Sequence, residues 1–328
     1  MKKILITGAT GFIGRFLVNE ARKRGYEITA AVRKTSNVQY LENKNIKILQ
    51  VEFADGDNLK KAVRRLPRFD YVIHNAGLTK SLKKKDYFDV NEKNTGRLIS
   101  ALLEPGKVPD KFLLMSSLAA FGPGDPENGY PVLLTSPPRP VTAYGESKLA
   151  AEKLLAGEPR LPYVIIRPTA VYGPGEKDIF RIIKLANRGI EFQAGGKNQR
   201  LTFIYVKDLA RLVFDALESS GINKAYFATD GNLYERAEMG RMIARLLDRT
   251  VRHIALPVLF LKMMGALSEL AGLISGKPPA LTVDKVNELA AGNWNCDVEP
   301  LRADLNFQAE YNLETGLQET LDWHRKEK

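Results

Sequence analysis

Short apolar runs alternate with longer stretches of helical periodicity along the first half of the chain. The runs lack a clean alternation of apolar and polar positions, which is typical of strands that are covered on both faces. We predict strands over residues 3–7, 27–32, 46–50, 69–74, 111–116, 163–167 and 225–228. We predict helices over residues 11–24, 58–65, 91–103 and 144–156.

Strands that alternate with helices in this way predict an α/β fold, with a doubly wound parallel sheet of about seven strands. After residue 167 the pattern changes to turn-rich sequence, followed by helical stretches over residues 237–247 and 281–291 with no regular strands between them. We therefore predict two interleaved domains. The sheet domain comprises residues 1–167 plus 201–230, and a smaller, mostly helical C-terminal substrate domain comprises residues 168–200 plus 231–328.

One segment, residues 256–275, is apolar and about long enough to span a bilayer. Lys262 and Glu269 interrupt it, and Gly265 and Gly272 weaken it as a helix. We interpret it as a helix of the second domain that is buried or lines an apolar cleft, and we predict no membrane span. The alternative is a helix that lies in a membrane interface.

Composition and charge narrow the class of protein only modestly. The chain has 328 residues, a formal net charge of +11 and one cysteine, Cys296, so no internal disulfide is possible. A single cysteine fits a reducing compartment, and the apolar run after Lys2 and Lys3 is too short for a signal peptide. We therefore expect a cytoplasmic protein. No aromatic-interleaved basic stripe is present, so we expect no nucleic-acid partner.

Three glycines, Gly8, Gly11 and Gly14, follow the first predicted strand and open the first predicted helix. This arrangement presents free backbone N–H groups at the positive end of a helix dipole, which is a site for a pyrophosphate. Gly8 permits the tight turn, Gly11 permits close approach of the backbone, and Gly14 permits packing of helix on strand. The pattern predicts a Rossmann-type dinucleotide-binding domain.

A tyrosine and a lysine, Tyr144 and Lys148, lie four residues apart on a predicted helix, so their side chains share one face. A phenol is a poor base at neutral pH, and a nearby ammonium together with an oxidised nicotinamide would lower its pKa. Tyr144 can then exchange a proton with a substrate hydroxyl or ketone while hydride moves to or from the carbon. His74, at a strand end, is interpreted as structural. No histidine or cysteine has partners at metal-ligand spacing, so we predict no metal.

Several motifs occur in order along nearly the whole chain: TGATGFIG, HNAG, VNEKNTG, MSSLAAFG, YGESK, RPTAVYGPG and FIYVKDLA. In these motifs the sequence resembles the extended short-chain dehydrogenase/reductase superfamily, and within it the NAD-dependent epimerase/dehydratase family. One departure is Asn94, which stands where that family usually has glycine. The resemblance implies an enzyme that uses a nicotinamide cofactor.

The resemblance also implies roles for individual residues. Ser117 would hydrogen-bond the reacting oxygen, with Ser116 as the neighbouring candidate, and Lys148 would also bind the nicotinamide ribose. The catalytic residues are thus Ser117, Tyr144 and Lys148. The predicted cofactor-binding residues are Gly8, Thr10, Gly11, Phe12, Ile13, Gly14, Arg33, Lys34, Glu52, Phe53, Asn75, Ala76, Gly77, Asn91, Tyr144, Lys148, Pro168 and Thr169. Among these, Glu52 and Phe53 would flank the adenine, while Pro168 and Thr169 would lie against the nicotinamide amide.

The residues that follow the second strand bear on the choice of cofactor. A carboxylate there would bind the ribose hydroxyls of NAD and repel a 2′-phosphate, whereas this chain has Arg33 and Lys34. An arginine forms paired charge-assisted bonds to a phosphate. The sequence therefore favours NADP(H), with NAD(H) as the alternative.

Two substrate classes remain open. The resemblance is nearest the 3β-hydroxysteroid dehydrogenase and dihydroflavonol reductase branch, which implies a secondary alcohol or ketone of an apolar molecule. Ala170 favours this class, because nucleotide-sugar epimerases and dehydratases usually have asparagine there to bind a diphosphate. Arg200 favours a substrate phosphate, unless it pairs with Asp208. A non-catalytic regulatory protein is a third reading, although such relatives tend to lose the tyrosine or lysine. Relatives often dimerise through helices near residues 91–103 and 144–156, so a homodimer is also an expectation.

Overall fold

The computed structural model describes residues 1–195, 199–276, 279 and 281–326. The strands are β1 (Lys3–Thr7), β2 (Glu27–Val32), β3 (Lys47–Gln50), β4 (Tyr71–His74), β5 (Lys111–Met115), β6 (Tyr163–Pro168), β7 (Ala170–Tyr172), β8 (Ile190–Ala194), β9 (Arg200–Leu201), β10 (Phe203–Tyr205), β11 (Lys224–Ala228), β12 (Tyr234–Glu235) and β13 (Arg252–Leu256). The helices are α1 (Phe12–Lys23), α2 (Gln39–Glu42), α3 (Gly56–Arg64), α4 (Lys84–Tyr87), α5 (Asn94–Leu102), α6 (Ala143–Ala156), α7 (Asp178–Ala186), α8 (Val206–Glu218), α9 (Arg236–Leu247), α10 (Val258–Ser275), α11 (Val283–Ala290), α12 (Glu299–Leu305) and α13 (Leu313–Lys326).

A parallel sheet built from seven of the described strands forms the centre of the molecule. Its order is β11-β6-β5-β4-β1-β2-β3, and every neighbouring pair is parallel. Strands β1 to β3 are added toward one edge of the sheet, and strands from β4 onward toward the other. The order of the strands therefore reverses between β1 and β4, and ligands of doubly wound sheets bind beyond the carboxyl ends of the strands at this point. The predicted α/β, Rossmann-type fold is therefore confirmed.

Two apolar layers cover the sheet because its strands present apolar side chains to both faces. One layer includes Leu17 of α1 and Phe214 of α8, and the other includes Leu59 of α3 and Leu98 of α5. All four side chains are almost fully buried. The buried strands carry the predicted apolar runs, with boundaries that shift by a residue or two.

The predicted helix over residues 91–103 is divided in two. Residues Phe88–Lys93 form a π-helical turn, and α5 begins at Asn94. A π turn holds one more residue than an α turn, and such turns occur mostly at functional sites. This turn places Asn91 in the interior, where it is 1% exposed.

The remainder of the chain contains short strands that the sequence did not predict. They form the pairs β7–β10, β9–β12 and β8–β13. The expectation of helices without strands between them is wrong, since β13 separates α9 from α10. These strands pair with segments far away in sequence, and a run of two to five residues carries no recognisable period by itself.

The predicted division into domains stays a prediction, and its residues 196–198, 277–278, 280 and 327–328 lie outside the described part of the chain. Tyr172, Tyr205 and Tyr234 share one buried cluster with helices α7, α9 and α13. Leu301 and Phe307, in contrast, pack into the core of the main sheet. Residues around α12 thus return to the sheet.

Candidate active site

The glycine turn between β1 and α1 is shaped as an anion site. Gly8 has a positive φ of 69°, and the Gly11 N–H donates to the Gly8 carbonyl at 3.1 Å. Gly11 caps α1 without any side-chain hydrogen bond, and the first turn of α1 has no acidic residue. The N–H groups of that turn are therefore left for a ligand, and the helix dipole favours a negative one. Thr10, Phe12 and Ile13, all half-buried, complete the turn.

Close packing leaves no room for a side chain at Gly8 or at Gly14. A Cβ at Gly14 would lie 2.0 Å from the Gly8 oxygen, and one at Gly8 would lie 2.7 Å from the Ala76 nitrogen. The segment after β4 is held against the turn, since Asn75 Nδ2 donates to the Gly8 carbonyl at 3.3 Å. Gly77 follows and is exposed. The three predicted elements Gly8–Gly14, Asn75–Gly77 and the end of β1 are thus brought together, and they fit a dinucleotide.

The residues assigned to the adenosine half lie at the ends of β2 and β3. Arg33 and Lys34 are exposed directly after β2, and no ion pair engages either of them among the described residues. Glu52 is exposed as well, but Phe53 is 7% exposed and packs in the core. The Phe53 side chain is thus directed into the protein, so that only its backbone and Glu52 border the surface.

The three predicted catalytic residues converge beyond β5. Ser117 lies two residues past the strand and its Oγ accepts a hydrogen bond from the Ala119 N–H at 3.1 Å. Tyr144 lies in the first turn of α6, which the Thr142 side chain caps by accepting from the Gly145 N–H. The Tyr144 hydroxyl lies close enough to Ser117 for the serine side chain to lower its pKa.

The neighbouring candidate, Ser116, has a different environment. Its hydroxyl donates to the Glu152 carboxylate, which also accepts two-pronged hydrogen bonds from Arg167. Ser116 is 3% exposed, and the Arg167 guanidinium lies 4.3 Å from the centre of the Phe121 ring. This buried network ties β5, α6 and β6 together, so that Ser117 rather than Ser116 faces Tyr144.

The phenol of Tyr144 is protonated in the protein alone. Burial raises the pKa of Tyr144 to about 12. The nearby Ser117 side chain opposes this rise, while the negative charge of Glu288 adds to it. The expected lowering of this pKa by Lys148 does not arise from the protein itself. The physical reason is that the Lys148 ammonium is directed elsewhere.

Lys148 reaches the carboxyl end of β5. Its Nζ donates to the Met115 carbonyl at 2.8 Å and would lie 3.2 Å from a Cβ at Gly77. Burial lowers the pKa of Lys148 to about 8, against the opposing charge of Glu152. Lys148 therefore stands between the catalytic helix and the segment predicted to bind the ribose, with an ammonium that loses its proton easily.

A chain of buried hydrogen bonds links the glycine turn to the catalytic helix. Thr95 Oγ1 donates to the Asn91 carbonyl at 2.5 Å, so it accepts from His74 Nε2 at 2.9 Å. His74 Nδ1 then carries no proton and accepts from Thr7 Oγ1 at 2.8 Å. Thr7 Oγ1 in turn accepts from the Ala76 N–H at 3.0 Å. The network thus requires the neutral Nε2–H tautomer of His74.

Asn91 extends this chain to α6. Its side-chain oxygen accepts from the Leu78 N–H at 2.7 Å, and its Nδ2 donates to the Leu78 carbonyl and to Ser147 Oγ. Ser147 Oγ donates to the Tyr144 carbonyl at 2.7 Å. The Asn91 amide is fully engaged within the protein, so it positions the segment after β4 rather than offering a free group.

Pro168 and Thr169 lie at the carboxyl end of β6. Pro168 is buried, and Thr169 donates through both its N–H and its hydroxyl to the Ala228 carbonyl. Ala170 follows and is exposed. The suggested pairing of Arg200 with Asp208 is wrong. Asp208 instead pairs with Arg211 at 2.7 Å and accepts from the N–H groups of residues 310 and 311.

Sequence reasoning missed the contribution of α11. The Asp284 carboxylate accepts from the Ala143 N–H at 2.8 Å, which fixes the first residue of α6 beside Tyr144. Glu288 on the same helix raises the Tyr144 pKa. The Thr282 cap marked the start of this helix in the sequence. Nothing local indicated that the helix contacts α6.

Comparison with known proteins places this geometry in a family. The family model described as NAD dependent epimerase/dehydratase family matches residues 4–227. A ceramide reductase of Caulobacter vibrioides is 27% identical over 98% of this chain and 94% of its own length. A UDP-glucose 4-epimerase of Vibrio cholerae is 30% identical over 86% of this chain and 87% of its own.

Solved structures agree in fold. A UDP-glucuronic acid 4-epimerase from Bacillus cereus, solved in complex with NAD, superposes with a TM-score of 0.77 at 21% identity and covers 99% of both chains. At that identity the likeness concerns the fold alone. With the glycine turn, the Tyr144–Lys148 helix and the family match over residues 4–227 all in one chain, the protein belongs to the NAD-dependent epimerase/dehydratase family of the extended short-chain dehydrogenase/reductases.

Proposed function

We propose that the protein is an NADP(H)-preferring reductase that converts a ketone of an apolar molecule to a secondary alcohol. The observation that carries this proposal is the protonated phenol of Tyr144, which lies beside Ser117 at the carboxyl end of β5. This pair offers two O–H groups to one substrate oxygen. Such an arrangement suits a carbonyl that becomes an alkoxide, because the phenol can donate the proton that the product needs.

The cofactor, when bound, supplies or accepts the hydride. The backbone N–H groups of the glycine turn would hold its pyrophosphate, and Lys148 lies where the ribose is expected. Tyr144 holds the transferable proton, and Ser117 orients the substrate oxygen. The Lys148 ammonium, directed to the Met115 carbonyl and toward Gly77, would bind the ribose rather than act on the Tyr144 phenol.

Two observations support an apolar substrate over a nucleotide sugar. Ala170, exposed beyond β6, has no group to bond a diphosphate. The relative named a ceramide reductase aligns with almost the whole chain. A second candidate, a nucleotide-sugar epimerase, is favoured by the 30% identity to a UDP-glucose 4-epimerase. The third, a non-catalytic cofactor-binding protein, is disfavoured because Tyr144 and Lys148 are both present and close to each other.

A substrate panel tests this function. Purified protein with NADPH is given long-chain ketones, ketosteroids and flavonoid-like ketones, and loss of the reduced-nicotinamide absorbance is followed. With NAD⁺ it is given UDP- or dTDP-sugars, and the sugar products are separated by chromatography, because an epimerase returns the hydride and causes no net change in absorbance. We expect turnover with at least one apolar ketone. Turnover confined to a nucleotide sugar establishes the second candidate, and cofactor binding without turnover on any class establishes the third.

The cofactor preference rests on Arg33. We expect NADPH to bind about tenfold or more tightly than NADH, since one charge-assisted hydrogen bond contributes about 1.5–3 kcal/mol. Arg33→Ala should remove most of this preference by weakening NADPH alone, measured by fluorescence titration with both nucleotides. Lys23→Ala, at the far end of α1, is the control because it removes the same charge from an exposed position. Equal affinities of the unaltered protein for the two nucleotides contradict the assignment.

A further inference from the structure

Helix α10 is the most exposed apolar element described in the structure. Apart from Gly265 and Gly272 no residue of it is buried. Its exposed large side chains are Leu259, Phe260, Met263, Met264, Leu267, Leu270, Leu273 and Ile274, with exposed fractions from 43% to 84%. The helix predicted for this segment is present, but the alternative in which it is buried is wrong, and the alternative in which it lines an apolar cleft stays a prediction. By length and composition alone, α10 could cross a membrane.

The charged residues of α10 lie away from its outer face. At 100° per residue, the eight exposed side chains fall within about half of the helix circumference. On the opposite side, Gly265 packs against the backbone of Thr282 and Val283. Glu269 accepts a hydrogen bond from the Val283 N–H at 2.8 Å. The outer face thus exposes large apolar side chains along the whole helix, and a contiguous apolar surface of this kind marks a docking site.

The helix is fastened to the protein along its inner side and at its beginning. It follows β13, which pairs with β8 in parallel, and the Gly195 N–H donates to the Leu256 carbonyl at 2.9 Å. The contacts with Thr282 and Val283 hold its middle. Crossing a bilayer would break all of these contacts, whereas lying along its surface keeps them. Phe192 and Ile254, which pair in register on β8 and β13, are exposed as well.

The exposed charges of α10 and of the segment that leads into it indicate which occupant fits. Lys262 lies on α10, Arg252 begins β13 and Arg249 precedes it; all three are exposed, and none forms an ion pair with any residue that the structure describes. The whole chain carries a net charge of +11. A second copy would carry the same positive net charge, so it offers this face no complementary charge. An anionic surface would neutralise the three cations.

We propose that the outer face of α10, with Phe192 and Ile254, docks in the plane of an anionic lipid bilayer. The apolar side chains enter the boundary between headgroups and acyl chains, and Arg249, Arg252 and Lys262 contact the phosphates. The docked face is one helix away from the candidate active site. Helix α10 packs on α11, and Asp284 of α11 binds the Ala143 N–H next to Tyr144. If the proposed function holds, the ketone is drawn from that bilayer.

Co-sedimentation of the full chain with lipid vesicles tests this docking. One set of vesicles is phosphatidylcholine alone, and the other contains a third of phosphatidylglycerol. We expect the protein to bind the anionic vesicles, and to bind the neutral ones more weakly by about tenfold or more. The double variant Leu267→Glu with Leu270→Glu should lose at least tenfold in affinity for anionic vesicles. Arg249→Glu with Arg252→Glu should weaken binding to anionic vesicles only.

Ile222→Glu is the matched control, since Ile222 is 51% exposed in the loop before β11, at the opposite ends of the strands. It should bind vesicles as the unaltered protein does. Absence of vesicle binding by the unaltered protein, or equal binding by the Leu267 and Leu270 variant, overturns the proposal. The proposal is also overturned if the unaltered protein forms a stable dimer and binds no vesicles, while the Leu267 and Leu270 variant is a monomer. A second copy of the chain is then the occupant of this face.

Experiments can distinguish a failure of the membrane docking from a failure of the proposed function. Circular dichroism and NADPH titration show whether each variant is folded, without any need for a substrate. Vesicle binding together with a silent substrate panel leaves the docking intact and removes the reductase. Ketone reduction in detergent micelles without vesicle binding removes the docking and leaves the reductase.

Discussion

Replacement of Tyr144 by phenylalanine is expected to lower kcat/KM for ketone reduction by about 10³-fold, within the range for loss of a general acid. The ring of Tyr144 remains in place, so the packing of α6 and the affinity for NADPH should be nearly unchanged. The loss follows because the phenol is the protonated group that Ser117 contacts and that faces the expected substrate oxygen. Steady-state kinetics with the best ketone of the panel, together with NADPH titration, measures both quantities.

Tyr87→Phe provides the control for this change. The Tyr87 ring lies 6.4 Å from that of Tyr144 in an edge-on arrangement, and its hydroxyl accepts from the Ser81 N–H at 2.9 Å. Its loss removes a nearby phenol that does not contact Ser117, and we expect less than a tenfold effect, in line with one lost neutral hydrogen bond. Substantial turnover by Tyr144→Phe, or an equal loss in both variants, contradicts the role of Tyr144 as proton donor.

Replacement of His74 by glutamine should make the protein less sensitive to acid. Burial lowers the pKa of His74 to about 3 from the ordinary value of 6.5. The unfolded chain therefore binds more protons between these values, so stability is full above pH 6.5 and falls as the pH drops toward 3. One pKa unit corresponds to about 1.4 kcal/mol, so His74 accounts for a loss of about 2 kcal/mol between pH 7 and pH 5.

The measurement is the free energy of unfolding by denaturant at pH 7.5 and at pH 5. His74→Gln should be less stable than the unaltered protein at pH 7.5, because glutamine cannot reach both Thr7 and Thr95. The deficit should shrink by about 2 kcal/mol at pH 5. His253→Gln, at an exposed histidine that contacts Glu191, is the control for loss of an imidazole elsewhere in the fold. An unchanged deficit at the two pH values means that His74 is not buried in its neutral form.

The parts of the fold and site that the sequence predicted are those with local causes. The strand at residues 3–7 and the glycines at Gly8, Gly11 and Gly14 are adjacent, so their spacing alone predicts both the turn and its use. The same holds for Tyr144 and Lys148, which one helical turn places on a common face. The family match agrees with this interpretation of the sequence.

The parts that it missed depend on contacts between distant segments. Asp284 and Ala143 are 141 residues apart, and only the folded chain brings them together. The burial suggested for helix α10 was wrong for a related reason. An apolar run predicts burial on average, but whether other elements cover the helix is decided by tertiary packing. The pKa of Tyr144 likewise depends on burial and on Glu288, neither of which is visible at the motif.

The π-helical turn at Phe88–Lys93 makes the number of residues there as important as their identity. Removing one residue, for example Glu92, would let an ordinary α-helix form through this segment. Everything beyond the deletion would then rotate by about 100° relative to the residues before it. Thr95 would turn away from His74, or Asn91 would turn away from Leu78, since one helix could no longer present both inward. Chain length at this point is thus a structural constraint that no single substitution would reveal.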